Sequence, residues 1–172
     1  MPQPWITRDC FIVVMGVSGA GKSAISGRLA SALQCGLIEG DTLHSAENKE
    51  RIRRGIPLTD ALRWPWLAAI CDTAEARKER PLVIACSALK RSYRDFIRER
   101  LAPVRFLFLD GPADLIADRM RARKGHFATV ALLQSQLAEL EPPTPDENAL
   151  RADIARSPDE IVQQAREATS PS

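Results

Sequence analysis

The sequence predicts an α/β protein: a three-layer α/β/α sandwich built around a five-stranded parallel sheet. Three observations carry that expectation. Short apolar runs alternate along the chain with segments of helical periodicity. The runs at Phe11–Met15, Leu82–Cys86 and Phe106–Leu109 are unbroken, as in strands buried on both faces. Helical segments separate the runs, and such crossovers return the chain so that the next strand lies parallel.

The elements follow in order. The first helix carries Ile25, Leu29, Ala30 and Leu33 on one face and is expected to end at Cys35-Gly36, with Gly36 as a left-handed cap. Leu37-Ile38-Glu39 reads as a short strand. Ser45 caps a short helix through Arg54, which Gly55 and Pro57 terminate. Thr59 caps a longer helix whose inward stripe is Trp66, Leu67, Ile70, Cys71 and Ala74, closed by the charged run Arg77 to Arg80. After the strand at Leu82–Cys86, Ser87-Ala88-Leu89-Lys90 leads into a helix with Tyr93, Phe96, Ile97 and Leu101 inward. Val104–Leu109 is the fourth strand, and Gly111-Pro112 opens a helix to about Arg121, interrupted at Arg123-Lys124-Gly125-His126-Phe127. The next helix carries Leu132, Leu133, Gln136, Leu137 and Leu140, and Pro142, Pro143 and Pro145 impose a loop. Ala149–Ile154 reads as the fifth strand. Ser157-Pro158-Asp159-Glu160 opens the last helix as a capping box, and residues 169–172 read as a short disordered tail.

A length of 172 residues suits one domain with a full core, so a single domain over 1–172 is expected. The 24 basic and 22 acidic residues nearly cancel, and the arginines are spread rather than run together, which argues against nucleic acid as a partner. The apolar run from Phe11 is too short for a membrane span, and no signal-peptide pattern precedes it. None of Cys10, Cys35, Cys71 and Cys86 forms a C-x-x-C pair; reduced thiols and a cytoplasmic setting are the simple reading.

The stretch Gly16-Val17-Ser18-Gly19-Ala20-Gly21-Lys22-Ser23 fits G-x-x-x-x-G-K-[ST], the phosphate-cradling P-loop, and sits between a strand and a helix as such a loop must. Glycines let successive N–H groups turn inward, and the helix start adds unpaired N–H groups and the positive end of its dipole. All eight residues are therefore assigned to the phosphates of a nucleoside triphosphate. Lys22 supplies a point charge, and the Ser23 hydroxyl joins a Mg²⁺ shell.

Phosphoryl transfer to a hydroxyl also needs carboxylates. Glu39 and Asp41 flank a glycine at a strand end, where residues two apart point the same way. Glu39 is assigned to the metal shell and Asp41 to the acceptor hydroxyl; a solvated acidic turn is the plain alternative. Asp110 closes an apolar run in the manner of a Walker B strand. Asp-Gly-Pro is equally a turn signal, and a helix-capping role is preferred.

The remaining motifs are specific. The P-loop, Glu39-Gly40-Asp41-x-Leu43-His44, Gly55-x-Pro57-Leu58-x-Asp60 and Arg63-x-Pro65-Trp66-Leu67 resemble gluconokinase, in order along the chain. So do Cys86-Ser87-Ala88-Leu89-Lys90 with Tyr93-Arg94, Arg121-x-Arg123-Lys124-Gly125-His126-Phe127, Ser135-Gln136-Leu137 and Leu140-Glu141-x-Pro143. The resemblance implies ATP-dependent phosphorylation of D-gluconate at its 6-hydroxyl, a nucleoside-monophosphate-kinase-like fold with a helical lid at about 119–140, and a homodimer. A polyol carboxylate wants cations and polar groups, and His44, Arg51, Arg63, Lys90 and Arg94 are assigned to it with Asp41. Arg119 and Arg123, four apart on one helix face, are assigned to the phosphates, with Arg123 among the catalytic groups beside Lys22 and Asp41. The chain departs from the family pattern at Leu62, where the pattern usually reads acidic; that acid is either only a cap or a group that helps hold Arg63, so the orientation of Arg63 is left open.

Two other readings stand beside this one. One is another small-molecule kinase of the same fold, such as a shikimate or adenylylsulfate kinase; shikimate kinases carry a glycine run where this chain has Cys86-Ser87-Ala88. The other is a nucleotide-dependent switch protein, against which Asn48-Lys49-Glu50-Arg51 lacks the Asp of the guanine-reading N-K-x-D pattern.

Overall fold

The computed structural model of the chain describes residues 1–122 and 129–170. Strand β1 (Phe11–Met15) runs through the P-loop into α1 (Lys22–Leu33), followed by β2 (Gly36–Glu39), α2 (Ala46–Arg53), α3 (Asp60–Ala76) and β3 (Leu82–Ala85). Then come α4 (Arg91–Arg100), β4 (Val104–Asp110), α5 (Ala113–Ala122), α6 (Thr129–Glu139), β5 (Leu150–Asp153) and α7 (Pro158–Glu167). All strand pairs are parallel, in the order β2-β3-β1-β4-β5. The expected five-stranded sandwich is therefore the observed one.

Alternation along the central strand decides the two cores. Ile12 and Val14 face the layer that holds α1, α5 and α7, with Leu29, Ile116, Met120 and Ile161. Phe11, Val13 and Met15 face the other layer, with Trp66, Leu67, Ile70, Tyr93 and Ile97 from α3 and α4. Each fully buried aliphatic or aromatic side chain contributes about 1.5–3 kcal/mol, so β1 cannot slip register without exposing both sets. A sheet fixed in this way places its polar loops at one edge, the carboxyl ends of the strands.

Four local expectations are corrected. The left-handed cap of α1 is Gln34, at φ 52°, and not Gly36. Gly36 instead opens β2, where a Cβ would collide with the Glu79 and Arg77 side chains. Ser157 caps α7 by accepting from the Glu160 amide, but Glu160 does not reach back; its carboxylate pairs with Arg156. The reciprocal capping box lies at Thr144 and Glu147. Thr169 and Ser170 are not a loose tail: Thr169 bridges to Pro4, and the Ser170 amide donates to Gln3. Trp5, which no sequence pattern marked, is buried beside them.

Arg94 is the fourth correction. It was assigned to the acceptor, yet its side chain is 0% exposed and forms an ion pair with Glu147 at 2.7 Å, also 0% exposed. Its remaining donors go to the carbonyls of Ala88, Leu89 and Glu141. The guanidinium thus clamps the β3–α4 loop to the segment that follows α6, and it has no reach to the crevice. Arg98 adds a second bond to Glu147. Burial alone would raise the Glu147 carboxyl, but the two arginines hold it down at about 2.

Removing one partner of a buried pair leaves the other charge uncompensated. Glu147→Gln is expected to cost about 3–5 kcal/mol of stability, measured as a shift in urea unfolding. A loss under about 1 kcal/mol, the range of surface ion pairs, would show that the clamp is not a structural anchor.

Candidate active site

The site starts where β1 ends. The Gly16 amide donates to the Ser87 carbonyl, which ties the start of the P-loop to the end of β3. Gly19 sits at φ 83°, and a Cβ there would strike Met120 of α5. Gly21, at φ 99°, caps α1 with no side-chain bond to the first-turn amides. Those amides therefore point out of the helix with the dipole behind them, ready for an anion. Lys22 Nζ donates to the Val17 carbonyl at 2.9 Å. Burial pushes its pKa below the usual lysine range, and the nearby Asp41 and Glu39 oppose that shift. A half-buried ammonium held by a single carbonyl is a cation placed for a phosphate.

The second wall is built by β2 and the turn after it. Gly40 lies against the Ala85 carbonyl, where a Cβ would collide with backbone. Its own carbonyl accepts from Trp66 Nε1 at 2.8 Å. On either side of this fixed glycine stand Glu39 and Asp41. Glu39 accepts from the Ser23 hydroxyl at 3.0 Å, and Asp41 faces the cavity. His44 stacks on Trp66, with ring centroids 4.2 Å apart. Asn48 Nδ2 donates to the Leu62 carbonyl and lies 3.3 Å from His44 Nδ1. An amide NH₂ can only donate, so Nδ1 is the bare nitrogen and the ring proton sits on Nε2. Burial pushes the His44 pKa down to about 4, so the ring is neutral at physiological pH.

The cations expected at the acceptor are arranged differently from one another. Arg63 is 5% exposed and lines the cavity. Its Nη1 donates to Tyr93 Oη at 3.1 Å and pairs with Glu139 at 2.5 Å. The carboxylate that holds Arg63 is therefore Glu139 of α6, while Leu62 bonds through its backbone: its amide donates to the Thr59 cap and its carbonyl accepts from Asn48. Lys90 pairs with Asp60 at 3.0 Å and does not line the cavity, and Asp60 also accepts from Tyr93. Arg51 turns to the Pro57 carbonyl and does not line the cavity. Arg119 donates to the Ile154 carbonyl, towards β5. Arg123 lies outside the described residues. Asp110 pairs with Arg151 of β5 and lines a different cavity.

The cavity has a volume of about 390 Å³, within the roughly 300–1,000 Å³ range of small-molecule sites. It brings together Ser18 and Lys22 of the P-loop, Asp41, His44, Arg63 and Ser87. Several of its residues carried no assigned role: Thr42, Lys49 and Ile52, Leu58, and Leu132 with Gln136 of α6. The Ser45 cap fixes which face of α2 carries Lys49 and Ile52, a signal present in the sequence. Gln136 accepts from the Ser18 amide at 2.6 Å. Nothing local marks it, because only the return of α6 over the P-loop brings the two together.

The His44 shift makes a pH prediction. The folded pKa lies below the unfolded value of 6.5, so between about 4 and 6.5 the unfolded chain binds more protons. His44 therefore favours the fold fully above pH 6.5 and loses that contribution as pH falls. Between pH 7.5 and 5 the loss is roughly 2 kcal/mol. Urea unfolding of the parent and of His44→Gln at both pH values isolates it. The variant is expected to lose less stability than the parent, and equal losses would refute a neutral buried ring.

A family model described as an AAA domain matches residues 11–143. The gluconokinase of Gluconobacter oxydans is 43% identical over 156 residues, which cover 90% of this chain and 88% of its own. The crystal structure of a gluconokinase from Sinorhizobium meliloti 1021 superposes with a TM-score of 0.83 at 49% identity, covering 92% of this chain and 90% of its own. An APS kinase of Mycobacterium tuberculosis superposes with a TM-score of 0.66 at 19% identity, covering 91% of this chain and 95% of its own, a likeness of fold alone. With a P-loop, its half-buried lysine and an arginine-bearing cavity at the carboxyl ends of the strands, and with such relatives over nine-tenths of its length, the chain belongs to the gluconokinase family of P-loop kinases.

Proposed function

We propose that the chain transfers the γ-phosphoryl group of ATP to the 6-hydroxyl of D-gluconate, giving 6-phospho-D-gluconate and ADP. The observation that carries this is the shared cavity: Lys22 and Ser18 on one side, Asp41, His44 and Arg63 on the other. A polyol in that space meets hydrogen-bonding groups and an arginine, while a nucleotide phosphate meets free amides and an ammonium.

The chemistry follows from those positions. Asp41 accepts the hydrogen bond of the attacking hydroxyl and receives its proton as the new O–P bond forms. The bond from the γ-phosphorus to the β–γ bridging oxygen breaks, and its electron pair leaves with ADP. Lys22 and the first-turn amides of α1 stabilise the charge on the phosphate oxygens. The contacts of Arg63 to Tyr93 and Glu139 both use Nη1, so among the described residues Nε and Nη2 remain for the gluconate carboxylate. Ser23 Oγ and Glu39 form an adjacent all-oxygen pair beside the P-loop, a donor set that suits Mg²⁺. Among the described residues there is no cluster of three His, Cys, Asp or Glu side chains. The metal would thus complete its shell from phosphate oxygens and water, and when bound it supplies charge neutralisation. In the same reading one kinase domain spans the chain, the segment from about 119 to 140 acts as a lid that brings Arg119 and Arg123 to the phosphates, and the protein is a cytoplasmic homodimer. Four free thiols and the exposed Trp64 on α3 are in keeping with that setting.

Two measurements test the reading. In an ADP-release assay the purified chain is expected to turn over gluconate and to refuse glucose, which lacks the carboxylate; equal use of both would overturn it. Asp41→Asn is expected to lower kcat by about 10²-fold or more. Asp110→Asn, outside the cavity, is expected to leave kcat within about twofold, a factor worth only about 0.4 kcal/mol. The opposite ranking would move the hydroxyl-binding carboxylate to β4.

A further inference from the structure

Helix α6 touches both halves of the cavity. Leu132, Gln136 and Glu139 fall four and three residues apart and share one helix face. Leu132 lines the cavity, Gln136 Oε1 accepts from the Ser18 amide at 2.6 Å, and Glu139 pairs with Arg63 at 2.5 Å. One helix is thus bonded to the phosphate loop at one point and to the acceptor-side arginine a turn later.

The Ser18 contact is the unusual one. Ser18 is the third residue of the loop, and it lines the same cavity as Asp41 and Arg63. Among the described residues its hydroxyl makes no hydrogen bond, whereas its amide is held by a neutral side chain from a distant helix. A short, part-buried N–H···O bond fixes the peptide plane and with it the direction of the side chain.

We propose that Gln136 is a positioning residue of the transfer reaction: its Oε1 holds the Ser18 amide so that the Ser18 hydroxyl is presented to the phosphoryl group in transit. Through this bond the placement of α6 is felt at the phosphate loop. The inference rests on the transfer reaction proposed above. It predicts that loss of the bond acts on the γ-phosphoryl, which ADP lacks, and leaves both the ADP site and the gluconate site intact.

The test compares Gln136→Leu, which keeps volume and removes the acceptor, with Gln136→Glu, which keeps an oxygen in the same place. For Gln136→Leu, kcat with ATP and gluconate is expected to fall about tenfold, the effect of losing roughly 1.4 kcal/mol of transition-state stabilisation. ADP affinity and the gluconate KM are expected to stay within about twofold. The Ser18 amide, followed by NMR hydrogen exchange in the nucleotide-free protein, is expected to lose protection in Gln136→Leu and to regain it in Gln136→Glu. That readout needs no turnover, so it separates this proposal from the choice of substrate. Unchanged kcat in Gln136→Leu, an equal loss of ADP affinity, or Ser18 protection that is the same in all three proteins would each overturn it.

Discussion

Burial of β1 on both faces is the constraint on which the rest of the molecule depends. A strand with no solvent face has nowhere to place polar side chains, so its chemistry is displaced to the peptide that leaves its carboxyl end. That peptide is the P-loop. Its neighbours in the sheet, β3 and β4, are set by side chains of the same two cores. The Gly16–Ser87 bond then transmits the position of β3 to the loop. Packing energy of an ordinary kind is thereby converted into the placement of a few amides and one ammonium.

The electrostatics of the site are prearranged in pairs. Arg63 and Lys90 would be costly as isolated cations next to a cavity, and they are held by Glu139 and Asp60. Both cations are thus already paired by carboxylates of the chain itself. Arg63 remains useful because a guanidinium has five donors and its pairing uses one nitrogen. Lys22 is the contrasting case, with one carbonyl as its bonded partner and the strand-end carboxylates beyond it.

Much of this was legible in the residues. Unbroken apolar runs give buried strands, and the glycine spacing gives a phosphate loop, because both depend on short-range rules. Helix caps at Ser45 and Thr59 were legible for the same reason, since each side chain accepts from an amide three residues on. What escaped depends on tertiary placement. Arg94 reads as a surface or site residue, since arginine is rarely buried; only the fold reveals Glu147 and three carbonyls around it. Asp110 reads as a metal-side or capping carboxylate until Arg151 appears on the neighbouring strand. Gln136 and Lys49 acquire meaning only when α6 and α2 are laid against the cavity.

The Arg63–Glu139 pair also bears on how the cavity is put together from the chain. Neighbouring residues on a helix point about 100° apart, so an acid at position 62 would not face Arg63 within α3. Here the anion comes from Glu139, on a helix that follows β4 and α5 in the chain. Contacts of long sequence separation carry their loop-closure cost before they give any return. The wall of the cavity that carries Arg63 therefore depends on two distant stretches of chain, whereas the P-loop and the helix it opens are one contiguous stretch.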